Sequence, residues 1–211
     1  MKIVLLHGFL GAPEDWDGVI HHLKNSFKCY PLPLPLTLED FPKLLDSRHI
    51  DQCILIGYSM GGRVALQLQQ KYTDRINKLV LLSSHFGLKE ETEKQKRWDE
   101  DCILAKKLET MPIKEFLADW YAQPLFAGFD MPQRRLHIDK TYHSTLLRNY
   151  TLSKQPFLLP KKDTLLLYGE RDAKYKNLYQ DFPQAHAIKN ACHAIHLENP
   201  QAIAIHIAEG F

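Results

Sequence analysis

Long hydrophobic segments are absent from this 211-residue sequence. The longest apolar runs, such as residues 3–6 and 79–82, have the length of a β-strand and fall far short of the ~20 residues that span a membrane. No apolar segment followed by a cleavage site stands at the start, so we expect no signal peptide. The formal net charge is only +2, which does not indicate a nucleic-acid or membrane-surface partner.

Cysteine is also scarce. Cys29, Cys53, Cys102 and Cys192 form no CxxC pair and show no metal-type spacing with histidine. No glycine-rich phosphate loop follows a predicted strand. We therefore expect reduced thiols, a cytoplasmic location, and no metal or organic cofactor.

Apolar and helix-prone segments alternate as in a parallel sheet covered by helices. Three prolines within residues 31–35 exclude that segment from a central strand, because proline lacks the N–H that a ladder needs. Strands are predicted at residues 2–6, 27–30, 53–56, 78–82, 164–168 and 185–189, and helices at 13–23, 37–47, 61–71, 174–179 and 200–209.

The alternation stops near residue 85 and resumes near residue 160. Between them lie helix-prone stretches at 90–108, 113–121 and 133–149, separated by prolines and glycines. We predict an α/β core formed by residues 1–84 and 161–211, with residues 85–160 inserted as a helical cap over the edge of the sheet.

A G-x-S-x-G motif, Gly57-Tyr58-Ser59-Met60-Gly61, stands between a predicted strand and a predicted helix. The two glycines permit a sharp strand-to-helix turn that exposes the serine, as in proteins of the α/β-hydrolase fold. The sequence therefore predicts this fold, a mostly parallel sheet flanked by helices, with Ser59 as nucleophile or base.

A serine hydroxyl is inert at neutral pH unless a base takes its proton. In proteins with this motif, the acid and then the histidine follow the serine along the chain. Asp172 and His193 each follow a predicted strand, at the carboxyl ends where open α/β sheets place their sites. We predict that Ser59, Asp172 and His193 form a catalytic triad. The alternatives are Glu170 and Asp163 for the acid and His196 for the histidine.

The segment His7-Gly-Phe-Leu-Gly11 directly follows the first strand. In this fold the corresponding loop donates one backbone N–H to an oxyanion hole, and the residue after the serine donates the other. Phe9 and Met60 are therefore the predicted donors. His7 precedes the donor, so we assign it a structural role in the loop rather than a substrate contact.

Arg63 lies one turn into the helix that follows Ser59. An arginine so close to the sheet is not expected to be buried unpaired. One interpretation is a salt bridge with a neighbouring acid. The other is a clamp on a carboxylate of the substrate.

Taken together, these motifs resemble the 2-succinyl-6-hydroxy-2,4-cyclohexadiene-1-carboxylate synthases, a family of lyases in menaquinone biosynthesis. The Trp-Tyr-x-Gln-Pro-x-Phe stretch and the arginine after Gly61-Gly62 are more particular to these lyases than the other motifs. Further marks of the resemblance are residues 119–126 (DWYAQPLF), 153–156 (SKQP), 169–172 (GERD) and 193–200 (HAIHLENP).

The resemblance implies elimination of pyruvate from 2-succinyl-5-enolpyruvyl-6-hydroxy-3-cyclohexene-1-carboxylate, with the triad removing a proton and the oxyanion hole holding the developing charge. It also implies that Tyr58, Arg63, Arg97 and Trp120 hold the anionic and polar groups of this small substrate. Relatives carry glycine where this chain has Cys192, whose thiol either contacts the site or is a tolerated small residue.

Two other functions are open at this point. A carboxylesterase or thioesterase would use the same triad, and a non-catalytic binding module could share the fold. The ordered triad argues against the binding module. Arg63, Arg97 and Trp120 favour the lyase over the esterase.

Overall fold

A computed structural model describes residues 1–210, so Phe211, the last residue of the predicted core, lies outside the described residues. The six strands form one sheet in the order β2-β1-β3-β4-β5-β6, and every neighbouring pair is parallel. The strands are β1 (Lys2–Leu6), β2 (Lys28–Leu32), β3 (Cys53–Tyr58), β4 (Ile76–Leu82), β5 (Leu165–Gly169) and β6 (Ala185–Ile188).

Helices connect the strands, and the parallel sheet flanked by helices that the sequence predicts is confirmed. The α-helices are α1 (Asp17–Leu23), α2 (Phe41–Asp46), α3 (Met60–Lys71), α4 (Glu91–Thr110), α5 (Ile113–Tyr121), α6 (Lys140–Asn149), α7 (Ala173–Tyr179), α8 (Ile195–Glu198) and α9 (Pro200–Glu209). Short 3-10 helices lie at Pro13–Trp16, Leu38–Asp40, Pro124–Phe126 and Gln133–His137. Within residues 1–210 no helix is long and apolar enough to cross a membrane.

Both faces of the sheet are buried, as in other parallel sheets. Strand β3 illustrates this, since Cys53 and Leu55 pack into the core on one face while Ile54 and Ile56 pack into the core on the other. Each fully buried aliphatic side chain contributes about 1.5–3 kcal/mol relative to exposure. The two apolar layers therefore hold β1, β3 and β4 rigidly at the centre of the fold.

Strand β2 lies at the edge of the sheet and begins and ends later than the sequence predicts. It extends through Pro31, which is in register with Leu5 of β1. An edge strand has a neighbour on one side only, so the missing N–H of a proline is tolerated there. The prediction that this proline-rich segment is not a central strand is confirmed.

The strand order places a crevice at the centre of the sheet. From β1 the chain adds β2 on one side and then β3 on the other, so the connections diverge between β1 and β3. In open α/β sheets, ligands bind outside the carboxyl ends of the strands at such a switch point. The segments that begin at His7 and Ser59 leave the sheet there.

The helices between β4 and β5 cover these carboxyl ends. Leu108, Phe116 and Leu117 of α4 and α5 form a buried cluster with Leu10, which lies in the loop after β1. The helix predicted at 133–149 is wrong in one respect, because it divides into a 3-10 helix and α6. Asp139 separates them, since its side chain accepts a hydrogen bond from the N–H of Tyr142 and caps α6.

Candidate active site

Ser59 occupies a strained turn between β3 and α3. Its backbone has φ 51° and ψ −110°, an unusual conformation for a residue with a side chain. The turn packs against the end of β1, because a Cβ on Gly61 would come within 2.4 Å of the carbonyl oxygens of Leu6 and His7. The Ser59 N–H is held by the carbonyl of Leu82 at 2.8 Å. Tight glycine packing therefore fixes the serine at the mouth of the crevice.

The structure brings Ser59, His193 and Asp172 into one hydrogen-bonded chain. Oδ2 of Asp172 lies 3.0 Å from Nδ1 of His193, and Nε2 of His193 lies 3.1 Å from Oγ of Ser59. An ionised carboxylate can only accept, so Nδ1 carries the proton and Nε2 is free to accept the serine proton. Burial lowers the pKa of His193 while its bond to Asp172 opposes this, so the ring is the neutral form that a base requires.

Aromatic rings surround His193 on two sides, and the sequence did not predict them. Tyr175 stacks on the imidazole with a centroid separation of 5.2 Å, and Phe126 meets it edge-on at 5.7 Å. Tyr175 also donates its N–H to Oδ1 of Asp172 at 3.2 Å. These contacts orient both partners of the serine.

The other candidates for these roles lie elsewhere. His196 is buried against Tyr58, with a centroid separation of 4.2 Å, and burial lowers its pKa to about 3. Glu170 accepts a hydrogen bond from the N–H of Asn190. Asp163 forms an exposed ion pair with Lys78. Among residues 1–210 none of these three side chains forms a hydrogen bond with Ser59 or His193.

The two predicted oxyanion donors flank the serine. Met60 is the first residue of α3, where a helix leaves its N–H groups without an intrahelical acceptor. Phe9 lies in the loop after β1, beside Gly8, which approaches the ring of Tyr58. Neither N–H donates to another residue within the described part of the chain. Both are available to an oxygen of a ligand.

His7 stabilises this loop through hydrogen bonds at both of its ring nitrogens. Its Nε2 accepts a hydrogen bond from the N–H of Leu34 at 3.3 Å, so Nδ1 carries the proton and donates to the carbonyl of Gly8 at 2.8 Å. The carbonyl of Gly8 also accepts from Gly11 at 3.0 Å. Burial lowers the pKa of His7 to about 4. Both ring nitrogens are therefore occupied in holding the loop in place.

A cavity of about 530 Å³ opens above Ser59, which is a typical size for a small-molecule site. The aromatic residues Tyr58, Phe9 and Trp120 line it, and the half-buried Trp120 ring lies 5.2 Å from that of Phe9. Burial raises the pKa of Tyr58 well above its usual value. Among residues 1–210 no group of three or more His, Cys, Asp or Glu side chains could hold a metal ion.

Arg63 is the least expected feature of this cavity. The residue is only 7% exposed, and Nη1 donates to the carbonyl of Tyr150 at 2.7 Å. Within residues 1–210 it forms no salt bridge, so the ion-pair interpretation of the sequence is wrong. Burial, and then the charge of Arg97, lower the pKa of Arg63 to about 10. A buried arginine that lines a cavity and forms no salt bridge is suited to bind an anion.

Arg97 of α4 lines the same cavity and, unlike Arg63, forms a salt bridge. Its Nε donates to Oδ1 of Asp101 at 2.9 Å, and Oδ2 of that acid accepts from Thr151 at 2.6 Å. Asp101 is buried whereas the Arg97 side chain is 30% exposed. The terminal nitrogens of Arg97 remain to serve a ligand.

Comparison with known proteins decides the family. The model of the alpha/beta hydrolase family matches residues 3–205. The chain belongs to this family. The 2-succinyl-6-hydroxy-2,4-cyclohexadiene-1-carboxylate synthase of Klebsiella pneumoniae is 30% identical over 98% of this chain and 92% of its own length, and that of Salmonella agona is 31% identical over 99% and 92%. The chain is thus a lyase of the 2-succinyl-6-hydroxy-2,4-cyclohexadiene-1-carboxylate synthase family, as the sequence motifs indicate.

Solved structures of other proteins support the assignment of the chain to the alpha/beta hydrolase family. MenH from S. aureus superposes with a TM-score of 0.85 at 26% identity, covering 100% of this chain and 92% of that one. The enol-lactonase from Burkholderia xenovorans superposes at 0.73 with 20% identity, covering 99% and 90%, and shows the fold alone. The predicted α/β-hydrolase fold is therefore confirmed.

Cys192 precedes the histidine in this member of the alpha/beta hydrolase family. Its Sγ lies 3.2 Å from the carbonyl of Leu125, in the 3-10 helix before Phe126. Cys192 is buried and does not line the cavity, and burial raises the pKa of its thiol. The thiol is therefore protonated, and it contacts the backbone at Leu125.

A buried ion cluster joins the segment between β4 and β5 to the segment after β1, and no sequence motif predicts it. Asp15 is 1% exposed and accepts from Nη2 of Arg134 at 2.5 Å and from Nη2 of Arg135 at 2.6 Å. Although burial alone would raise it, the charge of Arg135 holds the pKa of Asp15 below its usual value. Asp15 also caps the turn at Ala12, close to the oxyanion loop.

We expect Asp15→Asn to destabilise the protein by about 3–5 kcal/mol, because it leaves two arginines without their buried acid. Thermal unfolding should show this as a melting temperature lower by roughly 10 °C. Asp46→Asn is the control, since its ion pair with Arg75 is exposed and should contribute about 1 kcal/mol or less. Equal losses in the two variants would contradict a structural role for the cluster.

Proposed function

We propose that this enzyme eliminates pyruvate from 2-succinyl-5-enolpyruvyl-6-hydroxy-3-cyclohexene-1-carboxylate, with Ser59, His193 and Asp172 removing the proton. His193 accepts the Ser59 proton at Nε2, and the serine oxygen takes the proton from the carbon next to the succinyl ketone. Asp172 keeps the proton of His193 on Nδ1 and stabilises the imidazolium that forms. This division of roles is supported by the 3.1 Å separation of Nε2 and Oγ.

The electron pair of the broken C–H bond moves onto the ketone oxygen. In our proposal the N–H groups of Phe9 and Met60 donate to that oxygen, because both flank Ser59 and neither has an acceptor among residues 1–210. When the electrons return to the ring, the C–O bond to the enolpyruvyl group breaks. The enolate of pyruvate leaves with the bonding pair, and its terminal carbon takes up the proton that the His193 imidazolium returns, which gives pyruvate and the neutral triad.

The observation that carries this proposal is the buried Arg63 without an acid partner. A substrate with carboxylates supplies the missing negative charge, and Arg97 adds a second cation in the same cavity. An esterase acting on a neutral acyl group would leave Arg63 without a salt bridge at every stage of its reaction. Tyr58 and Trp120 then form the walls that exclude water from the substrate.

Pyruvate release tests the proposal directly. The purified enzyme is given the enolpyruvyl substrate, and pyruvate is followed with a lactate dehydrogenase-coupled assay. A p-nitrophenyl ester is assayed in parallel. We expect rapid pyruvate formation and slow ester cleavage, whereas brisk ester turnover without pyruvate would favour the carboxylesterase or thioesterase.

We also propose that the enzyme acts in the cytoplasm. All four of its cysteines are free thiols. Unpaired cysteines are typical of reducing compartments.

A further inference from the structure

Lys174 lies two residues after the acid Asp172 and lines the cavity together with Tyr175 and His193. Its Nζ lies 5.6 Å from the centroid of the Tyr175 ring. Among residues 1–210 it forms neither a hydrogen bond nor a salt bridge. The residue is exposed to solvent and is one of those that line the cavity. Its position leaves the ammonium group available to a ligand.

The position of Lys174 is unfavourable for the protein without a ligand. Lys174 is the second residue of α7, close to the positive end of the helix. Partial burial and then the charge of Arg97 lower its pKa; Asp172 opposes this and Arg63 adds to it, and the net shift disfavours the ammonium form. Basic residues are favoured at the other end of a helix, where Lys176 lies.

Three positive charges converge on one part of the cavity. The pKa of His85 reflects these charges, because burial and then the charges of Lys174, Arg63 and Arg97 lower it to about 4. Asp101 and Asp172 oppose this charge. Both oxygens of Asp101 are occupied by Arg97 and Thr151, and both oxygens of Asp172 by Tyr175 and His193. Two other acids, Glu100 and Asp119, line the cavity, and Glu100 is paired with Lys96.

We infer that Lys174 binds a carboxylate of the substrate jointly with Arg63 and Arg97, so that these three residues form one anion-binding subsite beside the triad. The identity of the substrate rests on the proposed function. The anion removes the mutual repulsion of the three cations, which explains why a lysine lies near two arginines at the first turn of α7. Binding of the anion therefore relieves this repulsion at the same time.

The test compares Lys174→Gln with Lys176→Gln, a matched change of an exposed lysine on the same helix that does not line the cavity. Binding of the reaction product, a dicarboxylate, is measured by isothermal titration calorimetry, so the readout does not depend on turnover. We expect Lys174→Gln to weaken product binding and raise KM by about 10-fold or more, with little change in kcat. Lys176→Gln should leave both values unchanged.

A second readout separates binding from packing. The ligand-free Lys174→Gln protein should melt about 1–2 °C above the unaltered protein, because an unfavourable charge is removed. Lys174→Arg should retain most of the affinity. Equal affinities of the two glutamine variants would overturn the inference, as would a lower melting temperature with an equal loss in Lys174→Arg.

The outcomes also separate this inference from the proposed function. An enzyme that releases pyruvate but binds product equally well in both glutamine variants would retain the function and lose the subsite. A protein that binds product through Lys174 but releases no pyruvate would retain the subsite and lose the function. A protein that does neither would overturn both.

Discussion

Replacing His193 by alanine is expected to lower kcat by roughly 10³-fold or more, and Ser59→Ala should do the same. Each change removes one partner of the 3.1 Å contact through which the proton passes. Because the two residues act as a unit, the double variant should be little slower than either single variant. Steady-state pyruvate release, with circular dichroism to check folding, measures all three.

His196→Ala is the matched control for this prediction. Both histidines are buried and both contact Tyr58, but only His193 reaches Ser59 and Asp172. We expect His196→Ala to lower stability through the cavity it leaves beside Trp16, while kcat falls by about 10-fold or less. A larger loss of kcat in His196→Ala than in His193→Ala would show that the histidine is wrongly assigned.

The arrangement around Ser59 was predictable because each part is a local signal at the end of a strand. The glycines beside Ser59 define a sharp turn, and Asp172 and His193 follow β5 and β6 within a few residues. A parallel sheet places all carboxyl ends at one edge, so local motifs far apart in sequence must converge there. No knowledge of side-chain packing is needed for that step.

Contacts between distant segments were not predictable in the same way. Asp15 meets Arg134 and Arg135 across more than a hundred residues, and nothing in the pattern of either segment distinguishes these charges from solvated ones. The break at Asp139 was missed because a helix-prone stretch outweighed a single capping residue. Lys174 could have been noticed, since a lysine just inside a helix that begins at a triad acid contradicts the usual charge preference.

Arg63 could be located from the sequence, but its partner could not. Proximity to the sheet predicts burial, and burial with a charge normally predicts a salt bridge. The structure instead offers the guanidinium the carbonyl of Tyr150, so among residues 1–210 the buried charge has no salt-bridge partner. That departure from an ordinary buried arginine distinguishes a site for an anionic substrate from a simple esterase pocket.

We therefore expect Arg63→Ala to reduce kcat/KM for the pyruvate-releasing substrate by roughly 10- to 200-fold, the value of one or more charge-assisted hydrogen bonds. Hydrolysis of a neutral p-nitrophenyl ester should hardly change, since that molecule gains nothing from the charge. Arg63→Lys should recover only part of the loss, because an ammonium group cannot reproduce the planar fork of a guanidinium. Parallel steady-state assays of both substrates give the comparison.

Arg97→Ala is the informative companion to this variant because the two arginines differ in their partners. Loss of Arg97 leaves Asp101 buried with only Thr151, so we expect lower stability as well as weaker substrate binding. Loss of Arg63 removes a buried charge that has no acid, so its melting temperature should fall less than that of Arg97→Ala. A large activity loss in Arg63→Ala with a nearly unchanged melting temperature would support a carboxylate clamp. Small, equal effects of Arg63→Ala on both substrates, beside brisk ester turnover by the unaltered enzyme, would instead support the esterase.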